Sequence, residues 1–238
     1  PARQVSGDFY DVFMLPGNYV GLVIADVCDK GVGSALYMAL FRSLIRVFSG
    51  QISLGRWSIA KTGKHKEGIQ EADLNRMLQA VPLTNDYISE EHGKDVMFAT
   101  MFFGVLNPAT GDLAFINGGH EPPCIIGQSG IKRTLKAKGP VVGIISGAEF
   151  QIQHAHLEQG DSLIGYTDGV TEVFNAASDI FGLTRLKHLV RAHWPAGPQA
   201  LLAEIRQAVH DFSATTLPSD DFTLVILRRR ESYAQRTN

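Results

Sequence analysis

The run YVGLVIAD at residues 19–26 is apolar at nearly every position and closes on a carboxylate. Its length and unbroken hydrophobicity predict a strand buried on both faces. Gly31 and Gly33 break the chain directly after it. SALYMALFRSLIRVF at residues 34–48 then spaces Leu36, Ala39, Leu40, Leu44, Val47 and Phe48 as one helical apolar stripe. Arg42 and Arg46 stand four apart on this helix, and Ser34 suits its N-cap or first turn.

Further along, Leu74, Met77 and Leu78 carry helical spacing from about Ile69, with Pro82 expected to end or bend that helix. Residues 96–106 and 113–117 read as a hairpin joined through NPATGD. Short strands follow at 124–126, 150–157 and 162–166, helices at 183–192 and 199–212, and a last strand at 222–227. Strands gathered centrally with helices on both sides indicate an α+β fold of antiparallel sheets covered by helices. Residues 50–68 are polar, basic and without period, and are expected to form a mobile insertion. Arg56, Lys61, Lys64 and Lys66 within it suit either a solvated loop or a contact with an acidic protein face. The tail at 230–238 is expected to fray, and the whole of 1–238 is read as one domain.

With 22 basic and 24 acidic residues among 238, the chain is nearly neutral, which argues against nucleic-acid wrapping as its main task. A hydrophobic fraction of 45% supports a core without staples. Cys28 and Cys124 offer neither a disulfide framework nor a CxxC site and read as reduced, inert thiols. No stretch approaches the length of a bilayer span, so no membrane insertion is expected in this fragment, whose location is read as cytoplasmic. Functional-looking sequence begins within ten residues of Pro1, as in a domain excised from a longer protein. Missing segments could attach that protein to a membrane.

Carboxylates recur beside turns and strand boundaries: Asp8 and Asp11 in SGDFYD, Asp26 and Asp29 in ADVCDKGVG, Asp168 in YTDG, and Asp220 and Asp221 in SDDF. Taken singly, each is an ordinary turn residue, as Asp112 and Asp161 are read to be. Taken together, Asp26 and Asp168 end apolar strands and Asp220 opens another. Were those ends to meet, the like charges would need a compensating cation. Oxygen donors with almost no thiolate or imidazole favour Mg²⁺ or Mn²⁺ over Zn²⁺.

The blocks VSGDFYD, IADVCDKGVGSALYMA, FATMFFGVLNPATGDLAFINGGHEPP, LIGYTDGVTE, the Phe181–Gly182 pair and SDDFTLVIL, in this order, resemble the bacterial PP2C-like serine/threonine phosphatases of the SpoIIE/RsbU type. The resemblance covers residues 5–229. It implies a four-layer α-β-β-α sandwich with two central antiparallel sheets and a centre holding two divalent cations, Mn²⁺ or Mg²⁺. It implies that Asp26 bridges the metals, that the Val27 backbone carbonyl contacts one, that Asp168 and Asp220 hold the second, and that Asp8 lies in the metal shell. Asp26, Asp168 and Asp220 would thus be catalytic through bound metal and water, with Asp221 and His120 nearby in supporting or substrate-contact roles; Asp29, absent from the family pattern, is a further candidate for such a role. The implied reaction is in-line attack by a metal-activated water on phosphoserine or phosphothreonine of an anti-anti-sigma-factor-like protein.

Two departures stand out: DVCDKG where the family has DVSGKG, and NGGH where it has NAGH. Asp29 is the added charge. DKGVGS lacks the ending of a Walker A loop, so its glycines are read as turning the chain rather than cradling a nucleotide. The resemblance also implies control through an upstream sensory or receiver domain, helix packing or a homodimer. The N-terminal boundary and the helix at 34–48 are the expected junction. Two competing readings stay open: a catalytically weak PP2C-like domain that binds a regulatory partner, and a two-metal hydrolase of nucleotides or other small phosphate esters.

Overall fold

The computed structural model describes residues 5–50, 71–213 and 220–230. The proposed insertion at 50–68, apart from Gly50, and the proposed frayed tail, apart from Arg230, lie outside the described residues, as do Arg56, Lys61, Lys64, Lys66 and Ile69. Among the described residues, nine strands form two antiparallel sheets. The first sheet contains β1 (Phe9–Leu15), β2 (Tyr19–Val27), β3 (Ala99–Leu106), β4 (Asp112–Gly118) and β7 (Gln153–His156), side by side in that order. The second runs β6 (Gly130–Thr134), β5 (Cys124–Gly127), β8 (Ser162–Tyr166) and β9 (Leu224–Arg228). Helices α1 (Val32–Phe48), α2 (Glu71–Leu78) and α3 (Ala80–Glu91) accompany the first sheet. The short α4 (Asp168–Thr171) leads to α5 (Gly182–His193) and α6 (Pro198–Ser213), which pack on the second.

Three apolar layers give the expected α-β-β-α sandwich. Phe41, Ile45, Leu78, Val81 and Ile88 from the helices meet Val23, Ala25, Met101, Phe103 and Val105 on the outer face of the first sheet. Leu22, Ile24, Phe102, Phe115, Ile125 and Leu163 fill the space between the sheets. Ile164, Tyr166, Leu186, Val190, Leu201 and Ile205 join the second sheet to α5 and α6. Strand parity carries this directly to the carboxylates. Leu22 and Ile24 point between the sheets, so Asp26, two residues on, points the same way at the rim. Gly165 of β8 approaches Ile24 from the facing sheet, which places Thr167 and Asp168 near that rim.

Several expectations need correction. Helix α1 begins at Val32, not Ser34, and its buried face is Ser34, Phe41 and Ile45, with Leu36 68% exposed. The apolar residues of α1 exceed what one face can bury, so spacing alone chose the wrong centre of the stripe. Pro82 lies within the first turn of α3, where a missing N–H costs nothing. It cannot bond the carbonyl four residues back, at Leu78, where α2 ends. Strands β1 and β6 were not anticipated, and β7 is shorter than the expected 150–157. β1 alternates strictly between buried Phe9, Asp11, Phe13, Leu15 and exposed Tyr10, Val12, Met14. Apolar residues on both faces hid that period-two pattern. β9 begins at Leu224, so Asp220 lies in the approach to the last strand and does not open it.

Asp11 ties β1 to α1. Arg42 Nε donates to its Oδ2 at 3.0 Å, Arg46 Nη2 to its Oδ1 at 2.6 Å, and Arg46 Nε also reaches Oδ2. The Arg46 guanidinium covers the Phe13 ring at 4.8 Å. Burial works to raise the Asp11 carboxyl, but hydrogen bonds and charge from Arg46 and Arg42 hold it below the usual range. Asp11→Ala should cost about 1–3 kcal/mol, since a charged hydrogen-bond network is broken while both arginines keep access to water. Chemical denaturation at neutral pH reads the difference. The gap should narrow as pH falls below the unfolded carboxyl value, where the wild-type advantage is itself lost.

Candidate active site

The carboxylates that the sequence scattered over more than 200 positions come to one rim of the two sheets. Asp8 precedes β1, Asp26 is the part-buried penultimate residue of β2, Asp168 starts α4 after β8, and Asp220 and Asp221 precede β9. Asp8 and Asp26 crowd each other, and Asp26 also feels the charges of Asp168 and Asp220. Burial, then the charges of Asp8 and Asp168, pushes the Asp26 carboxyl up to about 8. Burial pushes Asp8 up to about 6 against the hydrogen bonds of Thr167 and Thr223. Burial and then Asp220 raise Asp168.

Backbone and hydroxyl groups hold this cluster. Thr167 Oγ1 donates to Asp8 Oδ2 at 2.6 Å and accepts the Thr223 N–H at 3.2 Å, joining β8, β9 and the segment before β1. The Gly7 N–H donates to Asp221 Oδ2 at 3.1 Å. The Asp221 N–H donates to Asp220 Oδ1 at 2.8 Å. Gly169 is obligatory here, because a Cβ on it would lie 1.9 Å from the Asp221 carbonyl oxygen. The Val27 carbonyl accepts the buried Ser34 hydroxyl at 3.3 Å, and a Cβ on Gly7 would meet that hydroxyl at 2.1 Å. Ser34 therefore sits in the first turn of α1 but reaches back to β2 instead of capping the helix.

Asp29 is exposed and turned onto its own loop, its Oδ1 accepting the Lys30 N–H at 2.8 Å. His120 is buried one layer behind. Its Nδ1 is hydrogen-bonded to Thr100 Oγ1 at 2.9 Å, and Thr100 is the cross-strand partner of Asp26. Its Nε2 meets no hydrogen-bond partner among the described residues. Burial brings the imidazole down to about 4. Asn117 fixes the turn, accepting the His120 N–H at 2.9 Å and donating to the His120 carbonyl at 3.1 Å.

Thr167, Lys30 and Glu121 were not anticipated as site residues. Lys30 Nζ lies 2.8 Å from Asp220 Oδ2. Burial, followed by Asp168 and Glu172, raises the Glu121 carboxyl, placing it beside the cluster. All three stand within the quoted blocks, next to assigned residues; only the facing of the sheets identifies them.

The donor chemistry suits hard divalent cations: oxygen ligands only, with partly buried like charges that protonate when nothing compensates them. Among the described residues, however, no three Asp, Glu, His or Cys side chains surround one point ready to grip an ion. Asp8 instead accepts the Thr167 hydroxyl, and Asp220 pairs with Lys30. The thiols offer little, since burial raises Cys28 and takes Cys124 up to about 11.

The family model for Stage II sporulation protein E (SpoIIE) matches residues 16–230. The chain is 44% identical over 237 residues to Protein IcfG of Synechocystis, an alignment covering 96% of this chain and 37% of that protein. It is 29% identical over 231 residues to phosphoserine phosphatase RsbU of Bacillus subtilis, covering 97% of this chain and 61% of that protein. The chain thus spans less than two thirds of these curated relatives. The structure of the PP2C phosphatase domain with a regulatory fragment of SpoIIE from Bacillus subtilis shares its fold, at a TM-score of 0.70 and 18% identity, covering 95% of this chain and 59% of that one. No helix among the described residues is long and apolar enough to cross a membrane. With the two-sheet sandwich and a family match over most of its length, the chain belongs to the SpoIIE family as a PP2C-like domain of the SpoIIE/RsbU type.

Proposed function

We propose that this domain hydrolyses phosphoserine or phosphothreonine on a regulatory protein of the anti-anti-sigma-factor kind. The observation that carries the reading is the meeting of Asp8, Asp26, Asp168 and Asp220 at one sheet rim. The name of the relative RsbU, a phosphoserine phosphatase, supports the substrate class. The reaction is direct in-line displacement by water, releasing inorganic phosphate without a phosphoenzyme. A raised Cys28 and a Cys124 near 11 supply no thiolate nucleophile at neutral pH.

Asp8, Asp26, the Val27 carbonyl, Asp168 and Asp220 would hold two divalent cations, Mn²⁺ or Mg²⁺. When bound, the cations polarise the attacking water and screen the phosphoryl oxygens. Thr167 fixes Asp8 from behind, Ser34 orients the Val27 carbonyl, and Asp221 anchors the Gly7 backbone. His120 and Asn117 brace the strands beneath. Asp29 shapes its loop and is left out of the ligand set. The domain is further proposed to work in the cytoplasm as one unit under an upstream sensory or receiver domain, with a homodimer as the state in which control is exerted.

Phosphate release from a phosphoserine peptide of the partner protein, with Mn²⁺ and again with excess EDTA, tests the reading. Chelation should remove at least about 99% of the rate, because the cations supply several kcal/mol of transition-state stabilisation. A second reading, a partner-binding domain of little catalytic power, draws support from the absence of a ready three-carboxylate grip among the described residues. Tight partner binding with no metal-stimulated turnover on that same peptide would select it.

A further inference from the structure

A phosphomonoester approaching this rim brings negative charge toward Asp168 and Asp220, and the protein has set a cation at that approach. Lys30 Nζ pairs with Asp220 Oδ2 at 2.8 Å. The two side chains of the pair are 36% and 37% exposed, so it stands at the mouth of the site and not in its floor. Its placement is built into the backbone. Asp29 before it and Gly31 after it both hold positive φ, 68° and 104°. Left-handed geometry is uncommon outside glycine, though Asp is among the side chains that tolerate it best. The Asp29 carboxylate secures the bend by accepting the Lys30 N–H.

Resting on the phosphatase reading above, we propose that Lys30 is a catalytic residue of this site that binds the phosphoryl oxygens of the substrate, exchanging its Asp220 partner for the phosphate. A partly exposed ion pair adds little to stability, so the fold does not require Lys30 to stay with Asp220. Asp220 has another commitment available, toward a divalent cation. A phosphoryl group with up to two charges then outcompetes a single carboxylate for the ammonium, which serves phosphate as a mobile point charge. The same exchange gives Asp29 a purpose: it shapes the loop that aims Lys30.

Calorimetry of inorganic phosphate binding in the presence of Mg²⁺, on the wild-type chain, Lys30→Gln and Lys30→Arg, tests this. Mg²⁺ is titrated alone in parallel, and KM is measured for the phosphoserine peptide. Lys30→Gln should weaken phosphate binding about tenfold and raise KM by a similar factor, as loss of one charge-assisted hydrogen bond implies. Lys30→Arg should retain most of the binding, and Mg²⁺ affinity should change less than about twofold, the scale of a screened surface charge. Phosphate binding unchanged in Lys30→Gln, undetectable in the wild type, or reduced only in step with Mg²⁺ affinity overturns the proposal. Absence of metal-dependent turnover in the wild type sinks the phosphatase reading instead, and the phosphate titrations still decide Lys30.

Discussion

Asp26→Asn is expected to lower phosphate release about 1000-fold at saturating Mn²⁺ while raising the melting temperature of the metal-free protein. The loss follows from its place between the other carboxylates. Under the proposed function Asp26 would be shared by two cation sites, so removing its charge should weaken both, and several kcal/mol of transition-state stabilisation corresponds to about three powers of ten. The gain has the same origin. Burial and the charges of Asp8 and Asp168 make an ionised Asp26 costly in the fold, holding its carboxyl at about 8. Asn keeps the shape and removes the charge. Steady-state kinetics and a thermal melt with EDTA check the two halves. Near-wild-type turnover with unaltered Mn²⁺ binding would strip Asp26 of its role.

The second large effect is a pH dependence whose sign the cluster reverses. Folding raises Asp8 from 3.8 to about 6 and Asp26 from 3.8 to about 8, so the folded chain keeps protons that the unfolded chain has released. Stability from these groups is complete below 3.8 and is lost as pH rises through about 6 and then about 8. His120 works the other way: brought from 6.5 to about 4, it contributes above 6.5 and loses that contribution as pH falls. Between about pH 6.5 and 8.5 the carboxylates govern the slope. In that window the metal-free protein should lose about 3–6 °C of melting temperature, from one proton released at about 1.4 kcal/mol per pH unit. Saturating Mg²⁺ should flatten the slope, because bound cations compensate the ionised carboxylates. A metal-free melting temperature that rises across the window would show that these side chains do not crowd one another.

Much of the architecture was legible because strands β2, β3, β4 and β8 are largely apolar runs between clear turn signals. The residues around NPATGD and SLIGY fell at the expected places. The family blocks extended that reading to the layer order. For β1 and α1 the failure had a common cause: segments with apolar residues on both sides carry no usable period. β1 buries Phe9 and Phe13 yet exposes Tyr10 and Met14, and α1 exposes Val32 and Leu36. At the site, the aspartates were visible as a set, since acids at the ends of apolar runs are unusual. Lys30 and Thr167 were not, because a lysine in a glycine turn and a threonine at a strand end look ordinary. Their roles arise from partners 190 and 159 positions away, information that no local window contains.

The bond from the Gly7 amide to the Asp221 carboxylate spans 214 positions of chain. During synthesis the first sheet can be laid down long before the segment carrying Asp220 and Asp221 leaves the ribosome. A chain that stops before those residues leaves the acidic centre incomplete. Under the proposed function, metal-stimulated turnover should require that last segment, and a chain truncated before residue 220 should show none.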